Sequence, residues 1–307
     1  MGNFCLREII VDSQKYFDRK QKQPIDVKKD GCPLTNWGFE FGKAKFALHP
    51  KGFLVFLAPN EIESSDEYRK EDPYTVEENI DSEFHRRRIE CTLELVKEAL
   101  QALPASARIL DLGCGQGHIT SRIQQAFPQA EFSAVDYSIS AIDYAVEHFS
   151  NIDFIVANAY QPPYCDHYFD IVICNNLWEH VPDPLSLLKN VSEIMKPGGF
   201  LIISTPSRYR FSNLLRVIRG RPVTLMSDHH VTEYSVGQVI EQCRYGGYQI
   251  RRIFSKPLRL PDIKTKLVYP FISWLLAFTG SHHQLESTAF YLAQKMTIAN
   301  NGTRLDQ

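Results

Sequence analysis

Residues 111–117, Asp-Leu-Gly-Cys-Gly-Gln-Gly, concentrate the chemistry legible in this chain. They follow the apolar run 108–112 and precede a helical pattern, so they form a strand-to-helix turn. Gly113, Gly115 and Gly117 let the backbone turn tightly and bring amides close to a ligand at a helix N-terminus. A dinucleotide fingerprint would need glycine at position 118, where His118 stands. Asp111 instead offers a carboxylate at the strand end, which suits an ammonium group better than a pyrophosphate. Asp136 comes 19 residues after Gly117, at the end of the next apolar run. A carboxylate there can accept both hydroxyls of a ribose, as it can cap a helix. Tyr137 adjoins it, and Asn158-Ala159 follow a third run, where an amide can meet the edge of a base or serve a loop.

Two histidines, His229 and His230, lie in the segment 228–234, Asp-His-His-Val-Thr-Glu-Tyr. An imidazole titrating near about 6.5 suits a base that takes a hydroxyl or ammonium proton. The plain alternative is a histidine that bridges the loop. Arg208, Arg210, Arg216, Arg219 and Arg221 crowd a short stretch. Arginines suit anionic groups, or they form a solvated helix face with Leu214, Leu215 and Val217 turned inward.

These groups need elements to hold them. Residues 108–207 alternate strands (108–112, 131–135, 153–156, 170–174, 200–204) with helices (117–127, 139–149, 184–195). Gly198-Gly199 turns the chain into the last of these strands. Such alternation predicts an α/β, doubly wound, mostly parallel sheet covered on both faces. Ile89, Leu93, Val96, Leu100 and Leu103 mark one face of a preceding helix, capped by Asp81 or Ser82. Residues 44–48 and 53–57 predict a hairpin, and 61–78 a charged linker or lid. A late helix at 235–245 and strands at 248–254 and 287–293 complete the sheet. The expected division is an N-terminal extension, 1–79, and a ligand-binding domain, 80–307, with inserts at 208–230 and 257–286.

The whole chain has 307 residues, 34 Lys+Arg and 36 Asp+Glu, a net charge of −2. That balance speaks against a dedicated nucleic-acid binder. Seven cysteines without a CxxC pair exclude a cysteine zinc site and a disulfide scaffold, and point to reduced thiols in the cytoplasm. The run 267–278, broken by Pro270 and Ser273, falls short of the roughly 20 apolar residues of a spanning helix. It can line a pocket through Tyr269, Phe271 and Trp274. Together with Lys256, Arg259, Lys264 and Lys266 it can instead touch a membrane surface.

Residues 108–207 resemble class I S-adenosylmethionine-dependent methyltransferases, and within them the group of ubiquinone-biosynthesis O-methyltransferases and bacterial small-molecule methyltransferases. Asp111–Gly117 resembles the first motif of that family and Ala134–Ser138 the second. Ala157-Asn158-Ala159 matches the adenine-contacting position, where Asp-Ala is more usual. Residues 175–184 resemble the segment after strand four, and Met195–Gly199 the turn before strand five. The resemblance implies a seven-stranded Rossmann-like sheet and S-adenosylmethionine as cofactor. It implies cofactor binding by Asp111, Gly113, Cys114, Gly115, Gly117, Asp136, Tyr137, Asn158, Ala159 and Asn175. Trp178, His180 and Arg208 would lie near the substrate, and His230, with His229 beside it, would be the base. From the region of Tyr68, Tyr74, His85 and Arg86–Arg88, aromatic and arginine groups would close over the cofactor carboxylate. Relatives can hold a metal with Glu-x-x-Glu-His; Asn176 replaces the first Glu here, so no metal is expected. The implied activity is methyl transfer to a small or lipophilic acceptor, O-methylation foremost. The alternatives are a sugar, glycolipid or natural-product acceptor, or a non-catalytic cofactor-binding scaffold.

Overall fold

The structure is a computed structural model that describes residues 15–34, 44–65, 83–255, 268–278 and 287–297. In chain order, β1 (Phe17–Asp18) and β2 (Gln23–Pro24) form a small antiparallel ribbon. Next come β3 (Gly31–Pro33), β4 (Phe46–Leu48), β5 (Leu54–Val55), α1 (Pro59–Ser65) and α2 (Glu83–Leu100). The alternating section supplies β6 (Arg108–Leu112), α3 (His118–Ala126), β7 (Glu131–Asp136), α4 (Ile139–His148), β8 (Ile152–Val156) and β9 (Phe169–Asn175). After a 3-10 turn, Trp178–His180, follow α5 (Pro184–Ile194), β10 (Met195–Pro206) and α6 (Phe211–Ile218). The last elements are α7 (Val236–Tyr245), β11 (Tyr248–Phe254), α8 (Val268–Ala277) and β12 (Thr288–Lys295).

One sheet of ten strands carries the site, in the order β11-β12-β10-β9-β6-β7-β8-β5-β4-β3. Pairing is parallel from β10 through β9, β6, β7 and β8 to β5, and β12 is antiparallel to both β10 and β11. The reversal between β6 and β9 opens the crevice where ligands bind in such sheets. The expected seven strands are β6 to β12. The sheet is wider because the N-terminal hairpin β4-β5 does not stand apart. β5 pairs with the free edge of β8, and β3 adds to β4. Covering an edge removes a row of unpaired backbone groups.

β9 is buried at every residue, as a central parallel strand covered on both faces must be. Its Ile171 and Ile173 pack with Cys91, Leu95, Val96 and Ala99 of α2 on one face, and its Val172 and Cys174 pack with Leu187, Leu188 and Val191 of α5 on the other. Each such large aliphatic side chain contributes about 1.5–3 kcal/mol on burial. The buried face of α2 differs from the sequence reading. Cys91, Thr92, Leu95, Val96 and Ala99 are its buried residues, while Leu93, Leu100 and Leu103 pack only partly. Small and polar residues that an apolar count passes over are part of that buried face. The proposed caps Asp81 and Ser82 lie outside the described residues.

Gly198-Gly199 is not a simple turn before the strand. β10 begins at Met195 and carries a bulge between Met195 and Phe200. Gly198 has φ of 80°, and a Cβ on Gly199 would stand 2.8 Å from the Asp170 carbonyl oxygen. α7 starts as the sequence suggests, with Ser235 and Gln238 closing a reciprocal capping box. Two inward placements are corrected. Val217 and Ile218 of α6 are exposed, as are Phe271 and Trp274 of α8, so these aromatics are not a pocket wall.

Candidate functional site

A cavity of about 410 Å³ opens at the C-terminal ends of β6 and β9. Asp111, Gly113, Cys114, Gly115, Gln116 and His118 line it from the end of β6 and the turn into α3, Asn175, Asn176, Glu179 and His180 from the end of β9 and the 3-10 turn, and His229 and His230 from the loop before α7. α2 closes the mouth with Phe84, His85, Arg88 and Ile89. Of the three consecutive arginines, Arg88 is the one on the cavity wall, and its charge acts on Asp111. Tyr68 and Tyr74 lie outside the described residues.

The glycine turn is built by register. The amides of Gly113 and Cys114 donate to the Val135 carbonyl at 2.8 and 3.0 Å, tying the turn to β7. Gly113 and Gly115 have φ of 82° and 54°, a region that glycine enters without strain. Gly117 serves packing instead: its φ is 78°, and a Cβ there would stand 2.8 Å from the Phe154 ring. Asp136 is not a helix cap. Ser138 caps α4, and Asp136 accepts the Gly115 amide at 2.7 Å and the Ser138 amide at 2.9 Å. Burial pushes the Asp136 carboxyl above its ordinary range.

Asp111 Oδ1 and Asn175 Nδ2, on residues lining this cavity, are buried without a protein partner. Asp111 Oδ2 accepts from the Thr120 hydroxyl at 2.5 Å, and burial raises the Asp111 pKa to about 6. Asn175 Oδ1 faces the hydroxyls of Thr92 at 3.3 Å and Ser204 at 3.1 Å, which leaves its NH₂ as the donor without a protein partner. A buried acceptor and a buried donor without protein partners, on residues lining one cavity, fit the ammonium and polar groups of an amino-acid moiety. Cys114 is not reactive there, since burial and the nearby Asp136 and Asp111 raise its thiol pKa.

His230 Nδ1 and Glu233 Oε1 are 3.0 Å apart. Glu233 is fully buried, accepts the Met226 amide at 2.5 Å and is paired with the guanidinium of Arg210. These donors outweigh the desolvation that would raise its pKa, and hold it lowered. An ionised Glu233 only accepts, so the His230 proton belongs on Nδ1 and leaves Nε2 basic. His180 Nδ1 meets the His229 carbonyl at 3.2 Å, and its ring crosses that of His230 at 5.0 Å. Burial, and then the charge of His230, lowers the His180 pKa, which keeps it neutral at pH 7.

Glu179, His180 and His230 each bring one ligand-type atom within 4.8 Å of the others. The sequence places Glu179-His180 in a Glu-x-x-Glu-His-like pattern with Asn176 at its first position and leads to no expected metal; the third member, His230, comes only from the fold. Glu179 is buried and already accepts from the Asn176 amide at 2.9 Å and the Thr205 hydroxyl at 3.1 Å. Burial raises its pKa. This donor set answers Glu179 within the protein.

Three placements differ from the sequence reading. Trp178 is fully buried and donates Nε1 to Gln242 at 2.9 Å, so it braces α7 rather than facing a substrate. Arg208 is off the cavity wall. Arg210 is buried against Glu233, which removes it from any anion site. Asp136, Tyr137, Asn158 and Ala159 do not line the cavity; Asp136 is joined to its wall by accepting the Gly115 amide. The sequence reading gave no site role to Glu61, Glu233 or Thr288. Of these only Glu233 carries a local signal, three residues after His230; Glu61 and Thr288 are brought in by the sheet.

Residues 104–248 match the family described as "Methyltransferase domain". Over 99 residues the chain is 36% identical to a malonyl-[acyl-carrier protein] O-methyltransferase of Hahella chejuensis, covering 32% of this chain and 36% of that protein. Over 142 residues it is 31% identical to a ubiquinone biosynthesis O-methyltransferase of Nitrosospira multiformis, covering 43% and 56%. The chain thus spans about a third to a half of these relatives' lengths. The crystal structure of the plantazolicin methyltransferase BpumL in complex with SAH superposes with a TM-score of 0.53 at 14% identity, over 78% of this chain and 96% of that one. In fold and glycine turn, the stretch 104–248 is similar to the methyltransferase domains that these matches name. It is similar to the domain of the ubiquinone-biosynthesis and malonyl-carrier O-methyltransferases.

Proposed function

We propose that this protein transfers a methyl group from S-adenosylmethionine to a hydroxyl of a small or lipophilic acceptor. The observation that carries the reading is that His230, paired with Glu233, lines the same cavity as Asp111 and Asn175. Asp111 and Asn175, with Arg88 at the mouth, would hold the amino-acid end of the cofactor, and Asp136 its ribose. When bound, the cofactor would supply a methyl group activated on a sulfonium, with the neutral thioether as leaving group.

The protein's own work is alignment, exclusion of water and removal of one proton. His230 Nε2 takes the acceptor's hydroxyl proton as the oxygen attacks. The imidazolium that forms is stabilised by Glu233, whose charge is balanced beforehand by Arg210. His180, kept neutral, adds no competing charge. His229 acts through its carbonyl, which fixes the His180 ring.

Calorimetric titration with S-adenosylmethionine and S-adenosylhomocysteine, beside Asp136→Ala, tests the cofactor half. Saturable binding lost in the variant is expected, and no binding by folded wild-type protein refutes the reading. For the second half, phenols and quinol precursors are screened as acceptors. With an active acceptor, His230→Asn lowers methyl transfer by about 10²–10⁴-fold while cofactor affinity is kept. Binding without turnover of any acceptor would favour the non-catalytic scaffold. The arginine run gives no support for an anionic sugar or lipid phosphate, since Arg210 is internal and Arg216 and Arg219 bond to nearby backbone carbonyls.

A further inference from the structure

The N-terminal extension reaches the adenosine end of this site through strand pairing. β5 runs parallel to β8, with Val55 opposite Val156, and the Phe56 amide donates to the Val156 carbonyl at 2.8 Å. Two chains that leave a parallel pair at the same end continue side by side. The segment after β5 is therefore delivered to the place where Asn158 follows β8. α1 begins there, held by Glu61 Oε2 accepting the Ala58 amide at 2.9 Å. Ile62 packs into the same apolar cluster as Tyr137 and Ile139, and the Tyr137 hydroxyl donates to the Glu61 carbonyl at 3.5 Å.

The amide of Asn158 is fixed by this arrangement. Its Oδ1 accepts the Tyr160 backbone N–H at 2.9 Å, which turns Nδ2 outward, 3.4 Å from Glu61 Oε1. Position 158 thus presents a donor. The 6-amino group of adenine is itself a donor, and two donors do not bond. The acceptor beside Asn158 is the carboxylate of Glu61. Resting on the cofactor reading above, we propose that Glu61, from the N-terminal extension, receives the 6-amino group of the cofactor's adenine and selects amino- over oxo-purines. A purine with a carbonyl at that position sets oxygen against the carboxylate and loses the bond. The charged linker or lid expected from sequence at 61–78 thus begins with a specificity-determining residue.

The test is calorimetric titration of the full chain, wild type and Glu61→Gln, with S-adenosylhomocysteine and S-inosylhomocysteine. Wild type is expected to favour the adenosyl compound by roughly 10–100-fold, the size of a lost bond to a charged group. Glu61→Gln keeps an oxygen for the Ala58 amide but can turn its NH₂ to a purine carbonyl. It is expected to weaken S-adenosylhomocysteine by about tenfold and to bring the two affinities together. Wild-type protein that binds both compounds equally overturns the proposal with no variant needed. So does a folded variant that keeps both affinities within about twofold. Wild-type protein that binds neither removes the cofactor reading itself, an outcome distinct from loss of selectivity alone.

Discussion

Asp111 is held under the glycine turn with one oxygen on Thr120 and the other buried without a protein partner. Its pKa of about 6, raised by burial, has a consequence of definite sign. A raised carboxyl binds its proton more tightly in the folded protein. Its contribution to stability is full below the unfolded value of 3.8 and is lost as pH rises towards 6. The same ionisation creates the acceptor for a ligand ammonium. S-Adenosylhomocysteine affinity is therefore expected to rise with pH up to about 6, by at most about tenfold per unit, and then to level. In Asp111→Asn the affinity is expected to be weak and flat across pH 5–7, read by calorimetry at stepped pH; a slope unchanged in the variant would assign the titration elsewhere. Glu233 makes a companion case. Glu233→Gln strands the Arg210 charge in the interior, so a loss of about 3–5 kcal/mol is expected in denaturant unfolding. Stability within about 1 kcal/mol of wild type would show that Arg210 finds another partner.

At the scale of elements, the turn from β6 into α3 depends on glycines for two different reasons. Gly113 and Gly115 shape the cavity wall, whereas Gly117 lets α3 approach β8. Gly117→Ala is expected to cost about 1–3 kcal/mol, since the left-handed φ and the contact with Phe154 both oppose it. Thermal unfolding measures the loss, and the folded fraction should still bind cofactor with full stoichiometry. An unchanged transition would mean that Phe154 yields freely. Most of these elements were legible locally. Ser235 with Gln238, Pro184 after Asp183, and the apolar runs of β6 to β9 each state their own start and period. The face of α2 was less legible, because Cys91, Thr92 and Ala99 carry little apolar signal yet are buried.

At the scale of the molecule, no helix among the described residues is long and apolar enough to cross a membrane. α8 nonetheless exposes Phe271, Trp274 and Leu275, and Phe278 just after it is exposed too. With Lys256, Arg259, Lys264 and Lys266 preceding it in the chain, this exposed apolar group suits an anionic bilayer surface. Vesicles containing anionic lipid are expected to shift Trp emission to the blue, an effect lost in Trp274→Ser, and neutral vesicles to do so less. Emission indifferent to vesicles would leave the group to another apolar partner. Sequence alone determined the glycine turn, the carboxylates at successive strand ends and the parallel alternation, because each is a short-range pattern of residue type and spacing. Only the tertiary structure decided that β5 closes the edge of β8, that Trp178 points inward to Gln242, that Arg210 meets Glu233 and that Glu61 meets Asn158. A strand's residues set its faces and period, but its neighbour is chosen by the whole sheet. Contacts across 97 residues, like that of Glu61 with Asn158, exist only once the sheet has formed.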